Sequence, residues 1–352
     1  METTHASRPP TVSVIITCYN LGQYLDEAVD SILAQTYQDF EILIVDDGST
    51  DQATVALLAD YRRPKTHVMR IAHCGVAAAR NVGIANTASP YMCAMDADDR
   101  FDPSYLEKAV PILEHDPSVT FVSCWLRTFG NEEWEWKPER GDLPTLLWED
   151  TVLTASLVRR DAVVAIGGYD ASMPIQGDDD WDLWLTLAER GYRGVTIPEV
   201  LFHYRRRSGS VSTVCWNGPG HLPLARYRIA KHRETYQTYL LDVLLHQDVE
   251  TATLLRRNDE IERDLATELE PAVAARREEL ARLRARLASL NEGDGSRLEE
   301  GPAPVPPIVR ELEAALHATA AEVAALRTSV SWRLTAPLRR MYDVWLHWRG
   351  TP

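Results

Sequence analysis

Three short, mainly apolar runs that empty into polar loops, two of them acidic, constrain this chain more than any other feature. Val12, Val14, Ile15 and Ile16 lead to Cys18-Tyr19-Asn20. Phe40 to Val45 leads to Asp46-Asp47-Gly48-Ser49-Thr50-Asp51, and Tyr91 to Met95 leads to Asp96-Ala97-Asp98-Asp99. Apolar runs of this length suit strands covered on both faces. Between the first two, Leu25, Ala28, Val29, Ile32 and Leu33 recur at the three-and-four spacing of one helical face. His67 to Ala72 reads as a third strand and Val76 to Asn86 as a helix; Thr120 to Cys124 and Thr154 to Val158 read as later strands, and Trp181 to Arg190 as a later helix. Such alternation predicts an α/β fold: a Rossmann-like, mostly parallel sheet with right-handed crossovers and helices on both faces. Acids at the strands' C-terminal ends then lie where open α/β sheets place ligands.

Charge and cysteine usage narrow the partners. With 37 Lys and Arg against 52 Asp and Glu, the formal charge is -15, which argues against a nucleic-acid surface and for acidic loops that hold a cation. Cys18, Cys74, Cys93, Cys124 and Cys215 are odd in number and lack a Cys-x-x-Cys pair, so neither a disulfide framework nor a zinc knuckle is expected. Residues 1–10 lack an apolar leader, and no stretch approaches the roughly eighteen apolar residues of a membrane span. A cytoplasmic protein is expected.

Composition shifts divide the chain into residues 1–10, a flexible N-terminus; 11–215, a catalytic-sized domain; 216–290, a helical, coiled-coil region; 291–308, a Gly/Pro-rich linker; and 309–352, a further helix. Leu280, Leu283, Leu287 and Leu290 alternate by three and four, as do Val309, Leu312, Leu316, Thr319, Val323, Leu326 and Val330. The two segments suit either an antiparallel hairpin or homo-oligomerisation. The last stretch, Ser331 to Gly350, mixes Trp332, Trp345 and Trp348 with Arg333, Arg339, Arg340 and Arg349. That mixture suits peripheral contact with a membrane surface, a basic docking helix, or an ordinary packed one.

Each acidic cluster has a bland and a chemical reading. Asp46 and Asp47 suit a helix cap, and equally a carboxylate that accepts from a nucleobase imide or ribose hydroxyls. Asp96, Asp98 and Asp99 repel one another unless a cation such as Mg²⁺ or Mn²⁺ compensates, its shell completed by nucleotide phosphates. Asp178-Asp179-Asp180 precedes the bulky Trp181 and Trp184, so at least one acid meets a poorly solvated wall that raises its pKa towards that of a useful general base. Capping explains any one cluster; it explains all three together poorly.

The ordered series Val-Ser-Val-Ile-Ile-Thr-Cys-Tyr-Asn (12–20), Asp-Asp-Gly-Ser-Thr-Asp (46–51), Ala-Arg-Asn-Val-Gly (79–83), Asp-Ala-Asp-Asp (96–99), Gly-Gly-Tyr-Asp (167–170) and Asp-Asp-Trp-Asp-Leu-Trp-Leu (179–185) resembles the inverting family-2 glycosyltransferases of the GT-A fold. The resemblance spans about residues 11–212 and closes on His203-Tyr204-Arg205 and Ser208-Gly209-Ser210. It implies a nucleotide-sugar donor, UDP by default with GDP and dTDP open, contacted by Cys18, Tyr19, Asn20, Asp47, Arg80, Asn81, Asp96 and Ala97. It implies Mn²⁺ or Mg²⁺ on Asp98, and Asp180 as the catalytic base; apart from the resemblance, His203 suits either a ring-nitrogen ligand that completes the metal shell or, more often for a lone histidine, a packed hydrogen-bonded residue. Asp179 is then expected at a saccharide or lipid-linked acceptor, and Trp181 either stacks on that acceptor or, as its helical spacing favours, packs in the core. Asp179 stands where the family usually has Glu, and Thr17-Cys18 where Pro-Thr is frequent. What the resemblance implies is cell-surface polysaccharide or glycolipid synthesis at the inner face of the plasma membrane.

Three other classes fit the sequence less well. A nucleotidyltransferase would want a Gly-rich basic phosphate loop near the first strand, and none is present. A catalytically silent nucleotide-sugar-binding scaffold would have no need to retain Asp98 and Asp180. A dinucleotide dehydrogenase is excluded, since no Gly-x-Gly-x-x-Gly follows the first strand.

Overall fold

The computed structural model describes residues 8–139, 141–207, 210, 221–264, 266–267, 270–292, 314 and 321. The chain divides into two units, Met1–Val243 and Leu244–Pro352. In the first, β1 (Val12–Cys18), α1 (Gly22–Leu33), β2 (Phe40–Asp46), α2 (Gln52–Ala59), β3 (Thr66–Arg70), α3 (Val76–Ala85) and β4 (Tyr91–Asp96) form the expected alternation. β5 (Arg100–Phe101), α4 (Tyr105–His115), β6 (Val119–Gly130), β7 (Glu135–Trp136), β8 (Leu157–Arg159), α5 (Arg160–Ile166), α6 (Asp179–Glu189) and β9 (Arg193–Arg206) follow.

The strands make one sheet in the order β3-β2-β1-β4-β8-β6-β9-β5, with β7 paired to β6. β1 pairs in parallel with β2 and β4, and β2 with β3. The second half departs from the mostly parallel expectation: β8 runs antiparallel to β4 and β6, and β5 runs antiparallel to β9. β6 and β9 are parallel, with register breaks around Cys124, Trp125 and Leu126. Pro198 and Glu199 fall in that break, between the pairings of Ile197 and Val200. A proline has no N–H for the ladder, so the strand bulges there.

Strand alternation splits the core into two layers. Val14 and Ile16 join Leu25, Val29 and Ile32 of α1 and Leu106 and Val110 of α4 on one face. Ile15 joins Ala79 and Ile84 of α3, Val163 of α5 and Trp184 of α6 on the other. Each such fully buried side chain contributes about 1.5–3 kcal/mol. A Cβ at Gly83 of α3 would lie 2.4 Å from Ile15 Cγ2, so only glycine lets this helix approach β1 so closely.

The first unit runs past the sequence-derived boundary at 215. It takes in α7 (His221–Lys231) and α8 (Arg233–Thr238), and α7 is tied to α6 by charge. Arg228 pairs with Asp178, while Lys231 Nζ lies 2.7 Å and His232 Nε2 3.0 Å from the Asp182 carboxylate. Beyond it, α9 (Leu240–Asp264) and α10 (Glu270–Glu292) are helical, and α10 contains the positions 280, 283, 287 and 290 of the predicted heptads. The closing residues 208–209, Cys215, most of the 291–308 linker and the Trp/Arg tail lie outside the described residues. Among the described residues no helix is long and apolar enough to cross a membrane.

Candidate active site

The C-terminal ends of β1, β2 and β4 open into a cleft of about 760 Å³. Its other walls come from β6, β7, the 150–155 loop, the 176–180 segment and the end of β9. Asp47, Asp96, Asp98, Asp179 and Asp180, drawn from the three acidic clusters, all line this one space, along with Cys18, Tyr19, Asn20 and Arg80. The volume is that of an ordinary small-molecule site.

Arg80 organises the acids. It projects from α3 with its side chain buried, places Nη1 2.6 Å from Asp179 Oδ2 and Nη2 2.9 Å from Asp96 Oδ1, and lies over the Tyr169 ring. Asp96 also accepts from Thr17 Oγ1 at 3.1 Å, which ties the ends of β1 and β4 together. Asp47 lies deeper: its Oδ1 accepts from the Cys74 N–H at 2.7 Å, its Oδ2 from the Gly75 N–H at 3.0 Å, and His73 Nδ1 stands 2.9 Å from Oδ2. The carboxylate thereby shapes the loop that starts α3. The Tyr19 ring stacks on His73, with centroids 4.2 Å apart, and keeps one face open to the cleft mouth.

Asp180 is the most perturbed acid that keeps a workable pKa. Burial, and after it the neighbouring Asp179, lifts its carboxyl to about 7 despite the opposing field of Arg80. Its Oδ2 accepts the Thr154 hydroxyl and its Oδ1 the Trp181 N–H at 2.9 Å. Asp150, which the sequence patterns do not single out, lines the same cleft with its Oδ1 buried and unpartnered. Burial, then Asp180 and Asp178, hold its carboxyl well above the ordinary carboxylate range. Asp150 lies on an irregular loop with no acidic neighbour pattern to flag it.

Asp98 and Asp96 are the residues that could hold a divalent cation. Burial, then Asp96, raises the Asp98 pKa, and Arg207 Nε answers the charge at 2.6 Å from Oδ2. A guanidinium thus already supplies positive charge at this carboxylate. Among the described residues no group of three His, Cys, Asp or Glu converges. Two hard oxygen donors beside an open cleft fit Mg²⁺ or Mn²⁺ whose remaining positions go to water and substrate phosphate.

Several expected ligands stand elsewhere. His203 pairs across β9 with Arg100 and does not line the cleft, whereas its strand neighbours Phe202 and Tyr204 do; strand alternation turns it to the opposite face, away from Asp98. Trp181 is only 7% exposed, donates to the Leu146 carbonyl at 2.7 Å and carries the Arg228 guanidinium on its ring, so it serves the core and not an acceptor. Asn81 lies outside the cleft lining and exchanges two hydrogen bonds, of 2.7 and 2.8 Å, with the Tyr169 backbone. A Cβ at the adjacent Gly168, at φ +80°, would sit 2.3 Å from Asn81 Oδ1. Asn20 uses its own carbonyl oxygen on the N–H groups of Thr50 and Asp51, clamping the two loops at the cleft floor. Asp179 is occupied by Arg80, and Ala97 is fully buried behind the metal-candidate acids.

An acid-lined cleft at the strand ends of an open α/β sheet is where this architecture places its ligands. Residues 13–170 match the family described as glycosyl transferase family 2, and the chain is a glycosyltransferase. The match stops before α6, so Asp179 and Asp180 lie beyond it. An uncharacterized glycosyltransferase of Haemophilus influenzae is 27% identical over 222 residues, covering 58% of this chain and 68% of its own length. A Bacillus subtilis protein named for teichuronic acid biosynthesis, TuaG, is 28% identical over 214 residues, covering 59% of this chain and 83% of its own. The crystal structure of S. aureus TarS 1-349 in complex with UDP-GlcNAc aligns with TM-score 0.48 at 18% identity, over 57% of this chain and 60% of that one.

Proposed function

We propose that this glycosyltransferase moves a sugar from a nucleotide-sugar donor, a UDP-sugar, to a hydroxyl of a saccharide or lipid-linked acceptor with inversion at the anomeric carbon. The observation that carries the reading is Asp180: a half-buried carboxylate, lifted to about 7, that shares a cleft with Asp96 and Asp98. In a single displacement the acceptor oxygen attacks the anomeric carbon while the nucleoside diphosphate departs from the opposite face. Asp180 takes the acceptor's proton, a service worth about 10²- to 10⁴-fold. Thr154, donating to Asp180 Oδ2, holds that carboxylate in place.

Tyr19 and Asp47 are assigned to the base end of the donor and Asp96 to the ribose, with Arg80 fixing Asp96. Asp98, with Asp96, would hold Mn²⁺ or Mg²⁺, which when bound neutralises charge growing on the leaving diphosphate. Arg205 and Arg207 bring further positive charge to the same wall. The setting in this reading is cell-surface polysaccharide or glycolipid synthesis at the inner face of a membrane, with the Trp/Arg tail as the peripheral contact and the heptad segments as an oligomerisation element; the likeness to a protein named for teichuronic acid biosynthesis supports the polysaccharide part. The test is a panel of UDP-, GDP- and dTDP-sugars with Mn²⁺ or Mg²⁺, with and without EDTA, reading donor hydrolysis and the anomeric configuration of any product. Failure of every donor to bind would overturn the assignment.

A further inference from the structure

Resting on the transfer reading above, we infer that Trp134 and Trp136 form a stacking platform for a neutral pyranose of the acceptor, with Asp150 as its hydrogen-bonding partner in the same cleft. Trp134 is 46% exposed, yet its backbone is held firmly: its N–H donates to Thr128 Oγ1 at 2.8 Å and its carbonyl accepts from the Thr128 N–H at 2.9 Å. Thr128 itself is fully buried. An indole on so well anchored a backbone, left in water at the wall of a cleft, is apolar surface retained at a cost. No other ring and no cation stacks on it among the described residues.

Trp136, paired with Leu126 across the β6–β7 ladder, continues the same wall with one face against the core. A flat aromatic surface of this kind complements the apolar face of a sugar ring, while the ring's hydroxyls need polar partners at its edge. Asp150 supplies one: the buried Oδ1 lacks a partner and lines the same cleft as the reactive Asp180. An unsatisfied buried polar atom is costly, and a sugar hydroxyl would remove that cost. With Trp181 and Asp179 occupied, this wall retains free recognition capacity among the described residues.

The experiment measures binding of cellobiose, maltose, lactose and chitobiose to the full chain by saturation-transfer NMR, with UDP and Mn²⁺ present. At least one disaccharide should bind the parent protein, with signals concentrated on one ring face. Trp134→Ala should weaken it by roughly tenfold or more and Trp134→Phe by far less, since the phenyl ring keeps a stacking face. Asp150→Ala should weaken it as well, and UDP affinity and melting temperature should follow the parent's in all three. No binding by any disaccharide, or Trp134→Ala binding like the parent, overturns the platform. Loss of UDP binding by the parent would count instead against the nucleotide-sugar reading.

Discussion

Arg80 and Asp179 form a buried ion pair of 2.6 Å that joins α3 to the start of α6 across the floor of the cleft. The same guanidinium reaches Asp96, so one side chain sets the position of acids from two of the three clusters. Arg80→Ala would leave Asp179 buried and unanswered. The expected result is a loss of about 3–5 kcal/mol in denaturant unfolding, together with loss of transfer. Arg80→Ala unfolding at the parent's midpoint would show that the pair does not hold the cleft.

Asp180→Asn removes the proton acceptor and keeps the side chain's shape. Donor binding should persist while transfer falls by roughly 10²- to 10⁴-fold. In the parent, the base works only when ionised, so the rate should be full above neutrality and decline as pH falls through about 7. A rate unchanged in Asp180→Asn, or flat across that range in the parent, would move the base elsewhere.

Asp98→Ala should abolish whatever part of UDP binding depends on Mn²⁺, and EDTA should do the same to the parent. Because Arg207 holds Asp98 in the structure, Arg207→Ala should leave metal-dependent binding intact or strengthen it. UDP titrations with and without the metal decide this. A parent whose UDP affinity ignores Mn²⁺ and EDTA would remove the cation from Asp98.

His232 adds a pH dependence to stability. Burial pulls its pKa down, but hydrogen bonds to Asp182 and Glu189 outweigh that and leave it above its ordinary 6.5. The stabilisation is therefore complete below pH 6.5 and fades as pH rises through the folded value. Thermal scans should show the parent losing more stability than His232→Gln between about pH 6 and about pH 9. Parallel curves for the two proteins would show that His232 contributes nothing through its charge.

Much of the cleft floor was legible because parallel, doubly covered strands advertise themselves. Val12 to Ile16, Phe40 to Val45 and Tyr91 to Met95 are predominantly apolar runs, and Cys18 to Asn20, Asp47, Asp96 and Asp98, which follow them, share one cleft. β9 was not legible: Arg193–Arg206 contains Pro198, is half-exposed, and draws its regularity from pairing with β6 rather than from its own pattern. His203 and Trp181 show the same limit from the other side. Their residue types suit ligands, yet strand parity and a carbonyl partner at Leu146 settle their places, and neither is visible in local sequence. Asp150 and Trp134 gain significance only from what surrounds them in three dimensions.

The salt links from α7 to Asp178 and Asp182 bear on how this protein is shortened for study. A fragment stopped at residue 215, the sequence-derived edge, would strip the counterions from acids on either side of Asp180 and set the Asp180 carboxylate on a loosened footing. Such a fragment could look inert for reasons unrelated to its chemistry. Fragments carried through Val243 retain that brace.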